Sequence, residues 1–380
     1  MDIEATITSD LARDLAPLRD VLNGGQLSLL CRLWQRNLFA GPLTPPASLR
    51  GSLDAAEQVV FDLLVEPVEV DEQSALAVLG GPCIDVLTGR GILARSGGKL
   101  LSRGYRFLFA SGFNLLTGFD PESPSGEEVR VHFGLDSVMM ADLLLHVPEQ
   151  ARGLDLCTGS GALALALAQR CRSSVGVEWV PPVAEIARIN VALAGHESRV
   201  DIRTGDLFGP VAGERFDIIT ANPPFSPSLE DPASDPVAIG GNDGLDLARR
   251  ILDEMGTYLT PKGRMLMLLG LLGDERKSHF TDELERFATK EGWRAEIIEI
   301  AEPTPVGRMR IQRLQDEPYE RRLAQIRGGA ERTGATHYHV ELLSLARSDR
   351  PGVERLDLSS VARRQTMARE VRQLRRIRAG

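Results

Sequence analysis

Leu154-Asp155-Leu156-Cys157-Thr158-Gly159-Ser160-Gly161-Ala162 is the stretch on which the fold turns. An apolar run passes through an acid into two closely spaced glycines and continues as an Ala/Leu helix. Glycine removes the Cβ that keeps a ligand away from the backbone, and the first turn of a helix leaves N–H groups unsatisfied. The pattern predicts strand, ligand-binding turn and helix. Many nucleotide binders share it, so its meaning depends on the residues downstream.

Three further pieces come in order. Val175-Gly176-Val177-Glu178 reads as a second strand ending in an acid, where a carboxylate commonly accepts ribose hydroxyls. Gly205-Asp206-Leu207-Phe208 closes a third, with an acid beside apolar residues that suit an adenine amine and its face. Phe216-Asp217-Ile218-Ile219-Thr220 is a buried fourth strand and runs into Asn222-Pro223-Pro224-Phe225. Each Pro fixes φ near −65° and lacks an N–H, and the residue before a Pro is pushed out of helix. The Asn222 amide and the Pro223 carbonyl are thereby aimed in fixed directions beside an aromatic face. That suits a flat NH2 group, which donates two hydrogen bonds while its π-system stacks on Phe225.

From residue 150 onward strands and helices alternate, as in an α/β sheet. The strands are expected at Gly153–Cys157, Ser174–Glu178, Val200–Thr204, Phe216–Thr220, Arg264–Leu269, Ala295–Ala301 and His337–Leu345. The helices are expected at Ala162–Arg170, Val183–Ala194, Leu245–Tyr258 and Asp274–Glu291. Seven strands with intervening helices predict one doubly wound domain, assigned to residues 126–348. Between its last two strands, Pro303 to Ala335 is a polar, Arg-rich insertion, read either as a solvated helical excursion or as a lid.

Residues 1–125 read as a separate, mainly helical, winged-helix-like domain. Helical periodicity runs from Leu11 to Phe39 and again from Leu53 to Val65. The apolar runs 75–80, 84–87 and 91–95 come next, and a Gly97-Gly98 turn precedes Lys99-Leu100-Leu101. Over residues 1–130, 17 Asp and Glu stand against 11 Lys and Arg, the wrong sign for a DNA-reading wing. The expectation is that this domain shapes the substrate site, packs on the second domain, or pairs two copies as a homodimer. Asp120–Gly126 reads as a linker. Residues 349–380 are expected to form a basic helical tail, rich in Arg from Arg363 onward.

Composition narrows the class. The chain has 380 residues, 43% hydrophobic and 26% charged, as a soluble globular protein does. No apolar run approaches the ~20 residues that span a bilayer, so no membrane partner is expected. The acidic, charge-broken start is not a signal peptide. Cys31, Cys83, Cys157 and Cys171 form no CxxC pair, which suits a reducing cytoplasm and argues against a metal site. A net charge of −9 disfavours nucleic acid as a partner.

The order and spacing of the four motifs resemble the class I S-adenosylmethionine-dependent methyltransferases, in the branch with an Asn-Pro-Pro-Phe/Tyr motif. The resemblance covers roughly residues 130–345 and implies a Rossmann-like sheet and S-adenosylmethionine as cofactor. By it, Asp155, Gly159 and Gly161 hold the methionine part, Glu178 the ribose, and Asp206 with Leu207 the adenine. Thr158, Trp179 and Asn222 complete the set, with Phe133 from a leading segment, residues 132–137, that resembles one closing over the cofactor. Cys157 departs from the family, which usually places its first glycine there.

The same resemblance makes Asn222, Pro223 and Phe225 the catalytic residues. A sulfonium is already an activated methyl donor, so the protein has only to place a nitrogen lone pair in line with the methyl carbon. The acceptor class stays open at this level. Gly240–Arg250 resembles the corresponding segment of the glutamine methyltransferases, yet those usually carry Tyr at Phe225. The acidic loop Ser226–Pro236 suits a cationic small molecule such as a guanidinium. The reading favoured by sequence alone is N-methylation of a small molecule. Protein glutamine, an rRNA or DNA base, and a winged-helix regulator with a cofactor-sensing domain stand as alternatives.

Overall fold

The computed structural model describes residues 10–35, 47–110, 112–118, 131, 133–230, 239–309 and 316–357. The linker at Asp120–Gly126, the residues 361–380 of the expected tail and most of the acidic loop lie outside the described residues. The chain divides into two compact units, residues 1–214 with 312–318, and residues 215–311 with 319–380.

The first unit opens with helices α1 (Ala16–Gly24), α2 (Leu27–Gln35) and α3 (Ala55–Leu64). The expected single periodic stretch from Leu11 is interrupted at Gly24-Gly25, where glycine weakens a helix interior. Helix α3 carries a full capping box. The Asp54 carboxylate accepts the Glu57 N–H at 2.8 Å, and Glu57 Oε2 accepts the Asp54 N–H at 3.0 Å. Strand β1 (Val70–Asp71), helix α4 (Glu72–Gly89) and the pair β2 (Leu93–Ser96) and β3 (Lys99–Ser102) come next. Helix α4 is two helices joined at Gly80, whose φ of +72° only glycine adopts readily. The small antiparallel sheet has the order β1-β3-β2. A hairpin of β4 (Tyr105–Ala110) and β5 (Phe113–Gly118) completes this region.

The same unit continues through α5 (Leu135–Leu144), β6 (Gln150–Leu156), α6 (Ala162–Ala168), β7 (Cys171–Glu178), α7 (Pro181–Ala194) and β8 (Val200–Thr204). Strands β6, β7 and β8 are parallel neighbours, with Leu156 opposite Val177 and Glu178 opposite Thr204. All seven residues of α6 are buried, as the Ala/Leu run demands, because an all-apolar helix finds no solvent face. Helix α7 splits its apolar side. Val183, Ile186, Ile189, Ala192 and Leu193 join one core with Leu15, Leu18, Leu64, Phe107 and Leu116 of the N-terminal region. Each such side chain contributes about 1.5–3 kcal/mol on burial, so the N-terminal region and α7 stabilise one another.

The second unit contains β9 (Phe216–Ala221), α8 (Asp246–Tyr258), β10 (Leu259–Gly273), α9 (Thr281–Glu291), β11 (Trp293–Glu299), β12 (Thr304–Pro305), α10 (Asp316–Thr333), β13 (His337–Arg347) and β14 (Gly352–Asp357). Its ladder runs β9-β10-β13-β11-β14, parallel at β9–β10 and β11–β14 and antiparallel where β13 pairs β10 and β11. All seven expected strands form, and the α/β class with parallel strands and intervening helices is as the sequence predicts. Two corrections concern ends. The helix expected from Asp274 begins at Thr281, because the Asp274 carboxylate accepts the N–H groups of Arg276 and Lys277 and holds a turn instead. Residues 352–357, expected within a helical tail, are strand β14, so the ladder extends past His337–Leu345.

Candidate functional site

In the first unit, parallel β6, β7 and β8 end on one edge, and each carries its expected residues there. This is the edge at which α/β sheets bind ligands. Asp155 is fully buried at the end of β6, and the Thr158 hydroxyl donates to its Oδ2 at 2.6 Å. The Thr158 N–H donates to the Val177 carbonyl at 3.0 Å, which ties the turn to β7. Gly159 and Gly161 have φ of +53° and +78°, the left-handed region where side chains are strained. Gly161 begins α6, and a Cβ there would lie 3.2 Å from that of Ala187. Gly176 is also required. A Cβ on it would come within 2.7 Å of Ile202 Cδ1 and 2.8 Å of Thr158 Oγ1.

Glu178 links the turn to the next loop. Its Oε2 accepts the Gly159 N–H at 2.9 Å and its Oε1 accepts the Val180 N–H at 3.0 Å. Burial raises its pKa above the ordinary carboxylate value, against the opposing pull of these backbone donors. Each carboxylate oxygen has two lone pairs, so both keep acceptor capacity after these bonds. That leftover capacity, on two oxygens of one buried group, matches the two hydroxyls of a ribose.

The remaining expected residues fall into place unevenly. Asp206 is exposed and Leu207 buried at the end of β8, and Leu207 has φ +44°. Cys157 has φ +54°, which explains why a glycine suits that position. These two are the non-glycine residues with positive φ among the described ones, and both sit on the ligand edge, where local strain collects. Trp179 is 54% exposed, so its indole has an open face. Phe133 is buried just before α5.

Asn190 of α7 was not singled out from sequence. It is fully buried, accepts the Leu116 N–H at 2.7 Å, and donates to the Leu116 and Ser160 carbonyls, both at 2.9 Å. One amide thus joins the β5 hairpin to the glycine turn. No local pattern marks it, because its partners lie up to 74 residues away.

In the second unit, Asn222-Pro223-Pro224-Phe225 leaves the end of β9, with Asn222 half-buried and Pro223 and Phe225 buried. Its backbone is gripped by the 240–244 segment. A Cβ on Gly240 would lie 2.5 Å from the Pro224 carbonyl oxygen, and one on Gly244 would lie 2.4 Å from that of Phe225. The Gly240 N–H donates to the Ser226 carbonyl at 3.0 Å, and the Ser228 N–H to that of Gly241 at 2.9 Å. Arg249 then pins this loop through Asp243 at 2.7 Å and Glu283 at 2.7 Å. Burial alone would raise the Asp243 pKa, but the Arg249 guanidinium outweighs it and holds the carboxyl below its ordinary value.

Phe225 departs from expectation in one respect. The expected stacking wall carries the guanidinium of Arg322, from α10, 4.7 Å from its ring centroid. Its edge meets Gly270 of β10, where a Cβ would lie 2.7 Å from Phe225 Cε2 and 1.8 Å from the Tyr338 hydroxyl oxygen. The insertion is therefore no solvated excursion. Ile326 and Ala330 are buried with Leu272 and Val306.

Residues 135–270 match the family model described as "Methyltransferase small domain". That span holds the glycine turn, Glu178, Asp206 and the Asn-Pro-Pro-Phe motif. The chain is 36% identical over 160 residues to a ribosomal protein uL3 glutamine methyltransferase of Bradyrhizobium diazoefficiens, covering 40% of this chain and 50% of that protein. It is 35% identical over 145 residues to a release factor glutamine methyltransferase of Geobacter sulfurreducens, covering 35% and 50%. The chain thus spans about half the length of the curated relatives it matches. Among solved structures, the tRNA m1G37 methyltransferase of M. jannaschii aligns with a TM-score of 0.41 at 12% identity, over 73% of this chain and 65% of that one. No helix among the described residues is long and apolar enough to cross a membrane. With its turn, its acidic strand ends and its Asn-Pro-Pro-Phe motif in place, residues 135–270 form a methyltransferase small domain of the class I, glutamine-methyltransferase-like branch.

Proposed function

We propose that the chain transfers a methyl group from S-adenosylmethionine to the side-chain amide nitrogen of a glutamine in a protein. The observation that carries this is the identity of 36% and 35% to relatives named for protein glutamine. It moves the acceptor away from the small molecule favoured by sequence alone. The Gly240–Arg250 segment, pressed against the motif backbone, supports the same choice. The acidic composition supports protein over nucleic acid.

The residues present fit the cofactor. Glu178 would accept the ribose hydroxyls, the turn from Asp155 to Gly161 would hold the methionine part, and Asp206 with Leu207 would hold the adenine. Bound there, S-adenosylmethionine supplies an activated methyl on a sulfonium, so no strong base is needed. Asn222 Oδ1 and the Pro223 carbonyl accept the two N–H groups of the amide and aim its lone pair at the methyl carbon. The N–C bond forms as the C–S bond breaks, S-adenosylhomocysteine leaves, and the nitrogen then gives its extra proton to solvent. Two fixed acceptors and one fixed direction make this catalysis by orientation.

The test is transfer of a tritiated methyl group into a fractionated lysate, with Asn222→Ala as control. Label in protein, released as N5-methylglutamine on enzymatic digestion and lowered about a hundred- to a thousandfold by the substitution, is expected, as for other single polar groups aimed at a reacting centre. Label confined to the low-mass or nucleic-acid fraction overturns the proposal.

A further inference from the structure

We propose that Arg322 is a specificity-determining residue that occupies the acceptor's place on Phe225 until a neutral planar amide displaces it. The inference rests on the acceptor role just given to Phe225. A guanidinium is flat and conjugated, as an amide is, and it lies over the ring at 4.7 Å. Phe225 is 7% exposed, so while Arg322 is seated little of the ring is left for an acceptor to stack on.

The helix that carries Arg322 is anchored independently of it. Gly329 lies so close to Pro227 that a Cβ would come within 2.6 Å of Pro227 Cγ. Arg332 donates to the Asn242 carbonyl at 3.2 Å, and Ile326 and Ala330 are buried. The Arg322 side chain can therefore swing off the ring without moving α10. Only the cation–π contact is lost, and the freed guanidinium gains water.

Charge makes this displacement selective. The seated guanidinium repels an incoming cation, and once displaced it remains nearby on its tether. An arginine-like acceptor is therefore penalised twice, and a neutral amide is not. This reverses the expectation, drawn from the acidic loop, of a cationic acceptor. An acidic residue flanking the target glutamine would gain a partner in the displaced Arg322.

The experiment is steady-state methylation of the labelled protein acceptor by the full chain and by Arg322→Ala and Arg322→Gln, with thermal melting alongside. Removing the placeholder should lower acceptor KM about two- to tenfold, the range of a cation–π contact, with kcat and melting temperature unchanged. A KM that rises or stays constant in a variant that melts normally overturns the inference. If the wild-type chain transfers nothing, the functional reading fails separately. The placement is then read by NMR, as an upfield ring-current shift of the Arg322 Cδ protons that disappears in Phe225→Leu. An unshifted signal in the wild type overturns it.

Discussion

The glycine turn of the first unit and the Asn-Pro-Pro-Phe motif of the second are held in opposite ways. The turn is shaped by its own backbone, through positive φ at Cys157, Gly159, Gly161 and Leu207, and braced from upstream by Asn190 and the hairpin it grips. The motif is stiffened by its prolines, clasped by glycines that come after it, and covered from far downstream by α10. A site that must always fit the same cofactor benefits from a fixed backbone. A site that must tell acceptors apart benefits from side chains that can be exchanged or moved.

The largest effect separating the two is expected at Asn190. Asn190→Ala removes three buried hydrogen bonds and leaves the Leu116 N–H and two carbonyls unsatisfied. It should cost about 2–4 kcal/mol in denaturant unfolding. Cofactor affinity by calorimetry should fall with it, while acceptor KM at saturating cofactor holds. A loss of acceptor affinity alone would erase the contrast.

Glu341 tests the second unit by itself. It is fully buried, takes the Ser278 hydroxyl at 3.2 Å and Arg355 at 3.2 Å, and sits beside Glu299 and His339. Its pKa is pushed up to about 7, first by burial and then by Glu299, with Arg355 and Ser278 opposing. The folded chain then binds this proton more tightly than the unfolded one. The stabilisation is complete below the usual carboxylate range, near 4.5, and is lost as pH rises toward 7. Glu341→Gln keeps the shape without the titration. Its melting temperature should fall less than the wild type's between pH 5 and 8, by an amount worth on the order of 1–3 kcal/mol. Parallel curves would reject the assignment.

Glu178 gives the corresponding test in the first unit. Its pKa is raised, and hydroxyl donors prefer its ionised form. Cofactor affinity should therefore weaken as pH falls through a value above the ordinary carboxylate range. Glu178→Gln should bind about tenfold more weakly at pH 8 and lose that pH dependence. The smallest expected effect is a gain. Cys157→Gly relieves a left-handed side chain, at some cost in unfolded-state entropy, and should stabilise by on the order of 0.5–1 kcal/mol. An unchanged or lower stability would show that the Cys157 side chain earns its place by packing.

The legibility of the two halves differs for the same reasons. Asp155, Gly159, Gly161 and Glu178 were readable because a backbone-built turn writes its demands into adjacent residues. The seven strands were readable as continuous apolar runs, which buried parallel strands produce. Strand β14 was not, because Val353 and Leu356 stand among Glu354, Arg355 and Asp357, as an edge position allows. Asn190 and Arg322 were not, since their meaning lies in partners that only folding brings near. The acceptor preference failed for a related reason. The acidic loop was weighed by its charge, while the side chain on the Phe225 ring was invisible.

The shared core of α7 and the N-terminal region has a practical consequence for how this protein is divided. Homology marks a segment beginning at residue 135, but Val183, Ile186, Ile189 and Leu193 are covered by residues that precede it. A fragment cut at the homology border would bare that greasy stripe to water and should precipitate or be digested. The piece that is shared with relatives by descent is thus smaller than the piece that can fold, and swapping catalytic segments between relatives would have to carry the upstream helices along.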